Sequence, residues 1–161
     1  NLLNYLKGGR EINASYFNEK EITHLQDVKG LFSLSSMLLF LSMVFCLGII
    51  GYAFFKKDLP LIAYCLIAGG ALTLVFIILI SLLSLRFEWF FVKFHELLFS
   101  NSLWLMNPST DKIIVLLPES FFKMAAKRIF LTAGALSFGM LTAGLIVKYM
   151  EKKLNGVFKQ H

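Results

Sequence analysis

Charge is missing where this 161-residue chain is most apolar. The runs 34–55, 59–85 and 129–149 contain no acid, arginine or histidine, and their one lysine, Lys148, sits at an end. A bilayer crossing takes about 20 mostly apolar residues. Charge-free runs of that length read as membrane helices, not as core helices of a soluble domain. The same lack of ionisable groups argues against an ion or solute path through the spans, and the chain is short for a transporter built from repeats. Cysteine is scarce: Cys46 and Cys65 both lie inside apolar runs, where a disulfide is not expected and small thiols packed between helices are. Neither has a histidine or acid beside it to make it a nucleophile. No basic stretch followed by an apolar one opens the chain, so no signal peptide is visible.

What is present is greasy and basic. Hydrophobic residues make up 57% of the chain, and its mean hydropathy is +0.70. Sixteen Lys and Arg against ten Asp and Glu leave a net charge of +6. Lys56 and Lys57 crowd the short turn between the first two runs, and Lys148, Lys152, Lys153 and Lys159 the C-terminal tail. By the bias of basic residues toward the cytoplasm, these two segments are expected inside and residues 1–30 and 86–128 outside. The charge thus reads as membrane anchoring, and no nucleic-acid partner is expected. The fold class expected is mainly α: a polytopic helix bundle forming a single membrane domain, with a small extracytoplasmic cap.

Histidine is rare, which makes the positions of His24 and His95 informative. Each stands a short way outside an apolar run, and both fall on the same side of the membrane in this topology. His161, the last residue, carries no expectation. Around His24, Asn18 fits an N-cap and Glu21 the third helical position, able to reach back as a capping box. Helical spacing gathers Ile22, Leu25 and Val28 on one side, with His24 at the border, and predicts a short surface helix leading through Gly30 into the first span. Glu21 suits either the cap or a bond to the His24 ring. Asp27 could fix that ring's tautomer or stand as a solvated charge. A helix over 86–99 would set His95 beside Phe91 and Leu98, within an aromatic surround.

Further on, Asn107-Pro108-Ser-Thr-Asp111 is a turn signal. The β-branched run 113–117 is a candidate strand, with 10–17 as its possible partner. Pro118 suits the first position of a helix entering the third span. Ala68-Gly-Gly-Ala71 and the Ala135, Gly139, Ala143 stripe would let helices approach closely.

Taken together, Glu21-x-x-His24-x-x-Asp27-Val-Lys29, Phe94-His95-x-x-x-Phe99-x-Asn101-x-x-Trp104, Pro108-x-Thr-Asp111 and Leu117-Pro-Glu119-x-Phe121-Phe122 resemble the lipoprotein intramolecular transacylases (Lit), small bacterial membrane proteins. Asn107 departs from the aspartate usual before the turn proline. The family has four membrane helices, so the resemblance implies a span ahead of Asn1. It also implies an enzyme of the bacterial cytoplasmic membrane, working at the extracytoplasmic face without a cofactor. Its substrate would be a diacylglyceryl lipoprotein, whose sn-2 acyl chain moves from glycerol to the amine of the N-terminal cysteine to give a lyso-form. The family's catalytic histidines fall on His24 and His95. Glu21, Asp27, Lys29, Asn101, Asp111 and Glu119 are candidate supporting residues. Of these, Asn101, Asp111 and Glu119 also suit turns and caps. Phe91, Phe94, Phe99 and Trp104 are candidate walls of a substrate chamber, or a membrane aromatic belt.

The chemistry agrees with such residues. The attacking α-amine has a free pKa near 8, so a neutral imidazole is needed to take its proton, and the departing alkoxide needs one back. His24 is the first choice as base and His95 as second acid/base or oxyanion donor, with the reverse open. Two rivals remain. Glu21, His24, Asp27 and His95 could hold zinc in a membrane hydrolase, although no ligand spacing makes this specific and no metal is expected. A non-enzymatic membrane scaffold would suit the spans equally well. The oligomeric state is not indicated.

Overall fold

The computed structural model describes residues 2–9 and 16–158. Among them all regular structure is helical: α1 (Leu2–Leu6), α2 (Glu19–Lys56), α3 (Leu59–Leu83), α4 (Phe87–Leu98), α5 (Lys112–Leu116) and α6 (Glu119–Phe158). Three of these, α2, α3 and α6, are long and apolar enough to cross a membrane. The chain forms two compact units, one of Asn1–Met43 with Arg86–Met124, the other of Val44–Leu85 with Ala125–His161.

In the first unit α2 starts where the sequence indicates. The Asn18 side-chain oxygen accepts from the Glu21 N–H at 2.9 Å, and Glu21 Oε2 accepts from the Asn18 N–H at 2.8 Å. That is a reciprocal capping box, which satisfies two helix-end donors at once. The expected short surface helix does not exist separately, because α2 runs unbroken through Gly30, where no other group approaches. Leu25 packs with Tyr5, Leu6 and Ile113 into the unit's apolar core, flanked by Phe17 and Val28. Lys29 ties α1 down: its ammonium donates to the Gly9 carbonyl at 2.6 Å and lies 4.3 Å from the centre of the Tyr5 ring.

The strand expected at 113–117 is instead α5. Tertiary context overrides β propensity here. The buried Glu21 carboxylate sits at the start of α5, and Oε1 accepts from the N–H groups of Lys112 at 2.6 Å and Ile113 at 2.7 Å. An anion at a helix N-terminus is stabilised by those unpaired donors and by the helix dipole, so Glu21 favours a helical turn over an extended run. Most of the proposed partner strand, residues 10–15, lies outside the described residues; 16 and 17 form a turn.

In the second unit Lys57, with φ of 53°, turns the chain between α2 and α3, and Asp58 caps α3 by accepting from the Leu61 N–H at 2.9 Å. Here α3 and α6 do approach closely, through Gly69 and Gly70 of the expected Ala68–Ala71 stretch on α3 but along a face of α6 other than its expected stripe. A Cβ on Gly70 would lie 2.7 Å from the Ser137 carbonyl oxygen, and one on Gly144 2.7 Å from Ile67 Cγ1. Ala135, Gly139 and Ala143 are exposed, as are Cys46 and Cys65, which do not pack between helices. Small residues on several faces of α6 hid which one meets its neighbour.

Candidate active site

His24 is held by α2 and His95 by α4, and both are buried. Their ring centres lie 6.1 Å apart with 32° between the planes. Phe99 touches both, at 5.1 Å from His24 and 5.6 Å from His95. The two imidazoles are therefore brought side by side from segments distant in sequence. All groups of this site belong to the first unit.

The local environments of the two rings differ. His95 Nδ1 is 2.7 Å from the carbonyl oxygen of Phe91, one helical turn back. A carbonyl only accepts, so Nδ1 carries the hydrogen, and in the neutral ring the lone pair is on Nε2. Phe91 lies 4.0 Å from the His95 ring, Trp104 5.0 Å and Phe94 5.6 Å, centre to centre. Burial pushes the His95 imidazole below its ordinary value, and the Phe91 carbonyl pulls it partly back. Both effects follow from the cost of charge in an apolar surround and its relief by a hydrogen bond.

His24 lies on α2 ahead of residue 34, where the charge-free run begins. Its Nδ1 is buried and has no hydrogen-bond partner among the described residues. Burial lowers its pKa most; neighbouring His95 lowers it too, Asp27 raises it and Lys20 lowers it. Like charges at this separation oppose each other, so the pair resists carrying two protons.

The carboxylates expected around His24 are engaged elsewhere. Glu21 is fully spent on the three backbone N–H groups described above. Asp27 accepts from the Asn101 amide at 2.9 Å. Asn101 in turn accepts from the Trp104 indole N–H on its carbonyl at 2.9 Å and from the Leu103 N–H on its side chain at 3.0 Å. A chain of contacts thus runs Asp27, Asn101, Trp104, His95, fixing the loop after α4 against α2. Because the two carboxylates have these partners, Glu21, His24, Asp27 and His95 do not converge as a ligand set.

Asp111 is a clamp. It accepts from the Asn107 N–H at 2.7 Å, the Asn18 amide at 2.9 Å, the Thr110 hydroxyl at 3.2 Å and the Lys20 ammonium at 3.3 Å. The Asn107 N–H, with help from Asn18 and Lys20, holds its carboxyl down at about 2 against the opposing effect of burial. Lys20 also reaches the Leu105 carbonyl. Glu119 is exposed and paired with Lys123; it contributes to the wall of a cavity of about 220 Å³, together with Phe87, Phe91, Ile114, Leu117 and Phe122 among others. Sequence reasoning did not find this cavity, nor the second duty of Asn18, whose amide donors are left over once its oxygen caps α2.

A family model described as "Lipoprotein intramolecular transacylase Lit" matches residues 1–122. No curated protein matches. Among solved structures, the in meso structure of the membrane integral lipoprotein intramolecular transacylase Lit from Bacillus cereus is similar, with a TM-score of 0.69 and 28% sequence identity; the match covers 99% of this chain and 72% of that one.

Proposed function

This chain belongs to the lipoprotein intramolecular transacylase (Lit) family, an integral membrane acyltransferase family, and from that membership we propose that His24 and His95 carry the proton transfers of the reaction. The substrate is a lipoprotein, and the reaction moves an acyl chain within one molecule. In the proposed course the chain leaves the glyceryl sn-2 oxygen for the amine of the N-terminal cysteine.

The observation that carries this reading is the pairing of two buried imidazoles, one with its tautomer fixed by a backbone carbonyl. With Nδ1–H held by Phe91, His95 presents Nε2 as the base; this favours the reverse of the assignment first drawn from sequence. The amine nitrogen attacks the ester carbonyl carbon and gives its proton to His95 Nε2. The imidazolium so formed is stabilised by the Phe91 carbonyl. The tetrahedral intermediate then collapses, the carbon–oxygen bond to the glycerol breaks, and the departing oxygen takes a proton from the pair. His24, beside His95, is the second group able to donate to the oxyanion or to the leaving oxygen. The product has one new amide and one new hydroxyl, so atoms balance without water.

Burial favours this chemistry twice over. It keeps both rings neutral near neutral pH, ready to accept, and it excludes the water that would divert the ester to hydrolysis. Much of the barrier is geometric, since the amine must fold back onto an ester of its own headgroup, and holding it there is an orientation effect. Phe91, Phe94, Phe99 and Trp104, all in contact with His95, are the walls that would do so.

The site is read as facing the extracytoplasmic side of the bacterial cytoplasmic membrane, on the basis of the Lys56–Lys57 turn and the lysine-rich tail as cytoplasmic anchors. Expression in a host whose lipoproteins stop at the diacylglyceryl stage tests the chemistry. The transfer is an isomerisation, so the lipid-modified N-terminal peptide is read by tandem mass spectrometry for an N-acyl fragment. Wild type yields it; His24→Gln and His95→Gln do not. Undiminished conversion in both variants refutes the proposal.

A further inference from the structure

Phe91 has two faces in use. One meets the His95 ring at 4.0 Å; the residue also forms part of the wall of the cavity of about 220 Å³. Opposite stand Ile114 and Leu117 from α5 and the residue after it, and Phe122 from α6, whose ring meets Phe91 at 5.9 Å. The two carboxylates that reach this cavity, Glu88 and Glu119, are exposed, so its depth is aliphatic and aromatic. Away from those two carboxylates the lining side chains offer a polar ligand no hydrogen-bonding group, whereas an alkyl chain matches them. Apolar cavities of about 150 Å³ accept a benzene ring, so this one has room for more than six carbons of a single chain.

We infer that this cavity seats the acyl chain that migrates. The inference rests on the transacylase reading of the histidine pair and adds to it a place for the substrate's tail. The reacting carbonyl carbon must lie beside His95, and the chain attached to it must lead away. One aromatic ring, Phe91, separates that position from the cavity. The retained acyl chain has no such constraint, because its ester never has to approach either imidazole. Nothing in the His24–His95 chemistry demands a given chain length; the cavity does, so length selection belongs to these walls.

The test uses the full chain in lipid vesicles with synthetic diacylglyceryl lipopeptides. In one series the sn-2 chain is lengthened at fixed sn-1, and in the other the reverse. Ile114→Trp adds bulk to the wall and should lower the long-to-short conversion ratio of the sn-2 series at least fivefold, leaving the sn-1 ratio as it is. Ile114→Ala removes bulk and should raise the sn-2 ratio, which keeps the test alive if the tryptophan variant does not accumulate. An sn-2 ratio unmoved by either change, or a change that follows the sn-1 series, overturns the seat while leaving the histidine chemistry standing. A wild-type enzyme that converts no lipopeptide, or a His95→Gln variant that converts them equally well, overturns the histidine chemistry and the seat together.

Discussion

The two compact units bury different kinds of group. In the first, Glu21, His24, His95 and Asp111 are buried beside a small apolar core. In the second, what is buried is Ala53, Ala63 and Ser137, with Gly70 and Gly144 letting backbones close up. Burying ionisable groups is costly unless each finds partners, and Glu21 and Asp111 are fully partnered. The histidines are not: His24 Nδ1 is left unpaired and His95 is desolvated by four aromatic rings. Among the described residues, the first unit leaves a buried polar atom unpaired at His24, within the proposed site, while the buried side chains of the second are small and serve close packing.

The sharpest way to break that contrast is to remove one buried polar group from each unit. His95→Gln takes away the proposed base, and loss of general base catalysis is worth 10²- to 10⁴-fold in rate. Ser137→Ala takes away a hydroxyl that only donates to the Ala133 carbonyl of its own helix, and conversion should stay within about twofold of wild type. Rates of reporter lipopeptide conversion measure both. Comparable losses would mean that the units do not divide labour as proposed.

Next in size is Glu21→Ala. It strips the acceptor from the N–H groups of Asn18, Lys112 and Ile113; the bond to Ile113 is the fully buried one, and a buried donor left unpaired costs about 1–3 kcal/mol. A loss of about that size is expected, seen as a lower Tm in micelles, with hydrogen exchange at Lys112 and Ile113 accelerated. Glu21→Gln keeps one carbonyl acceptor and should recover part of the loss. A silent Glu21→Ala would show that the carboxylate is not the joint between α2 and α5.

In the second unit the matching test concerns space. On Gly144 a Cβ would meet Ile67 Cγ1 at 2.7 Å and the Ala63 carbonyl oxygen at 3.0 Å, whereas on Gly139 it would meet nothing within 4 Å. Gly144→Ala should destabilise by about 1–3 kcal/mol through overpacking, while Gly139→Ala should be neutral or slightly stabilising, since alanine favours a helix. Equal effects on Tm would show that the contact face of α6 lies elsewhere.

Much of this was legible before the structure. Charge-free length alone gave the three long helices, because hydropathy over 20 residues is a stronger signal than any local motif. Asn18 and Glu21 disclosed their cap, since a capping box is a local pattern. The reading failed where a distant residue decides a local outcome. Residues 113–117 look like a strand until the Glu21 carboxylate, far away in sequence, is known to sit at their N-terminus. Asp27 suited either a bond to the His24 ring or a solvated charge, and Asn101, distant in sequence, claims it across the fold. The rotated face of α6 went unseen because small residues occur on several sides of that helix, and only the position of α3 chooses among them.

The smallest effect expected separates the aromatic surround of His95 from the base itself. Trp104 covers the ring at 5.0 Å, and burial is the first cause of the lowered His95 pKa. The base must be neutral to act, so the limb that His95 sets should lie below pH 6.5, beneath the separate fall caused by protonation of the attacking amine. Trp104→Leu admits water to one face of the imidazole, relieves part of the penalty on the charged form and raises the pKa toward 6.5. The acid limb set by His95 should therefore move to higher pH, at a rate above that limb within about tenfold of wild type. Asn101→Ala removes the side-chain bonds to Asp27 and the Leu103 N–H but keeps the backbone carbonyl that holds the indole; by loosening the loop that carries Trp104 it should shift the limb in the same direction and by less. An acid limb that stays fixed in both variants, with only the plateau lowered, would assign Trp104 to substrate contact and not to the electrostatics of His95.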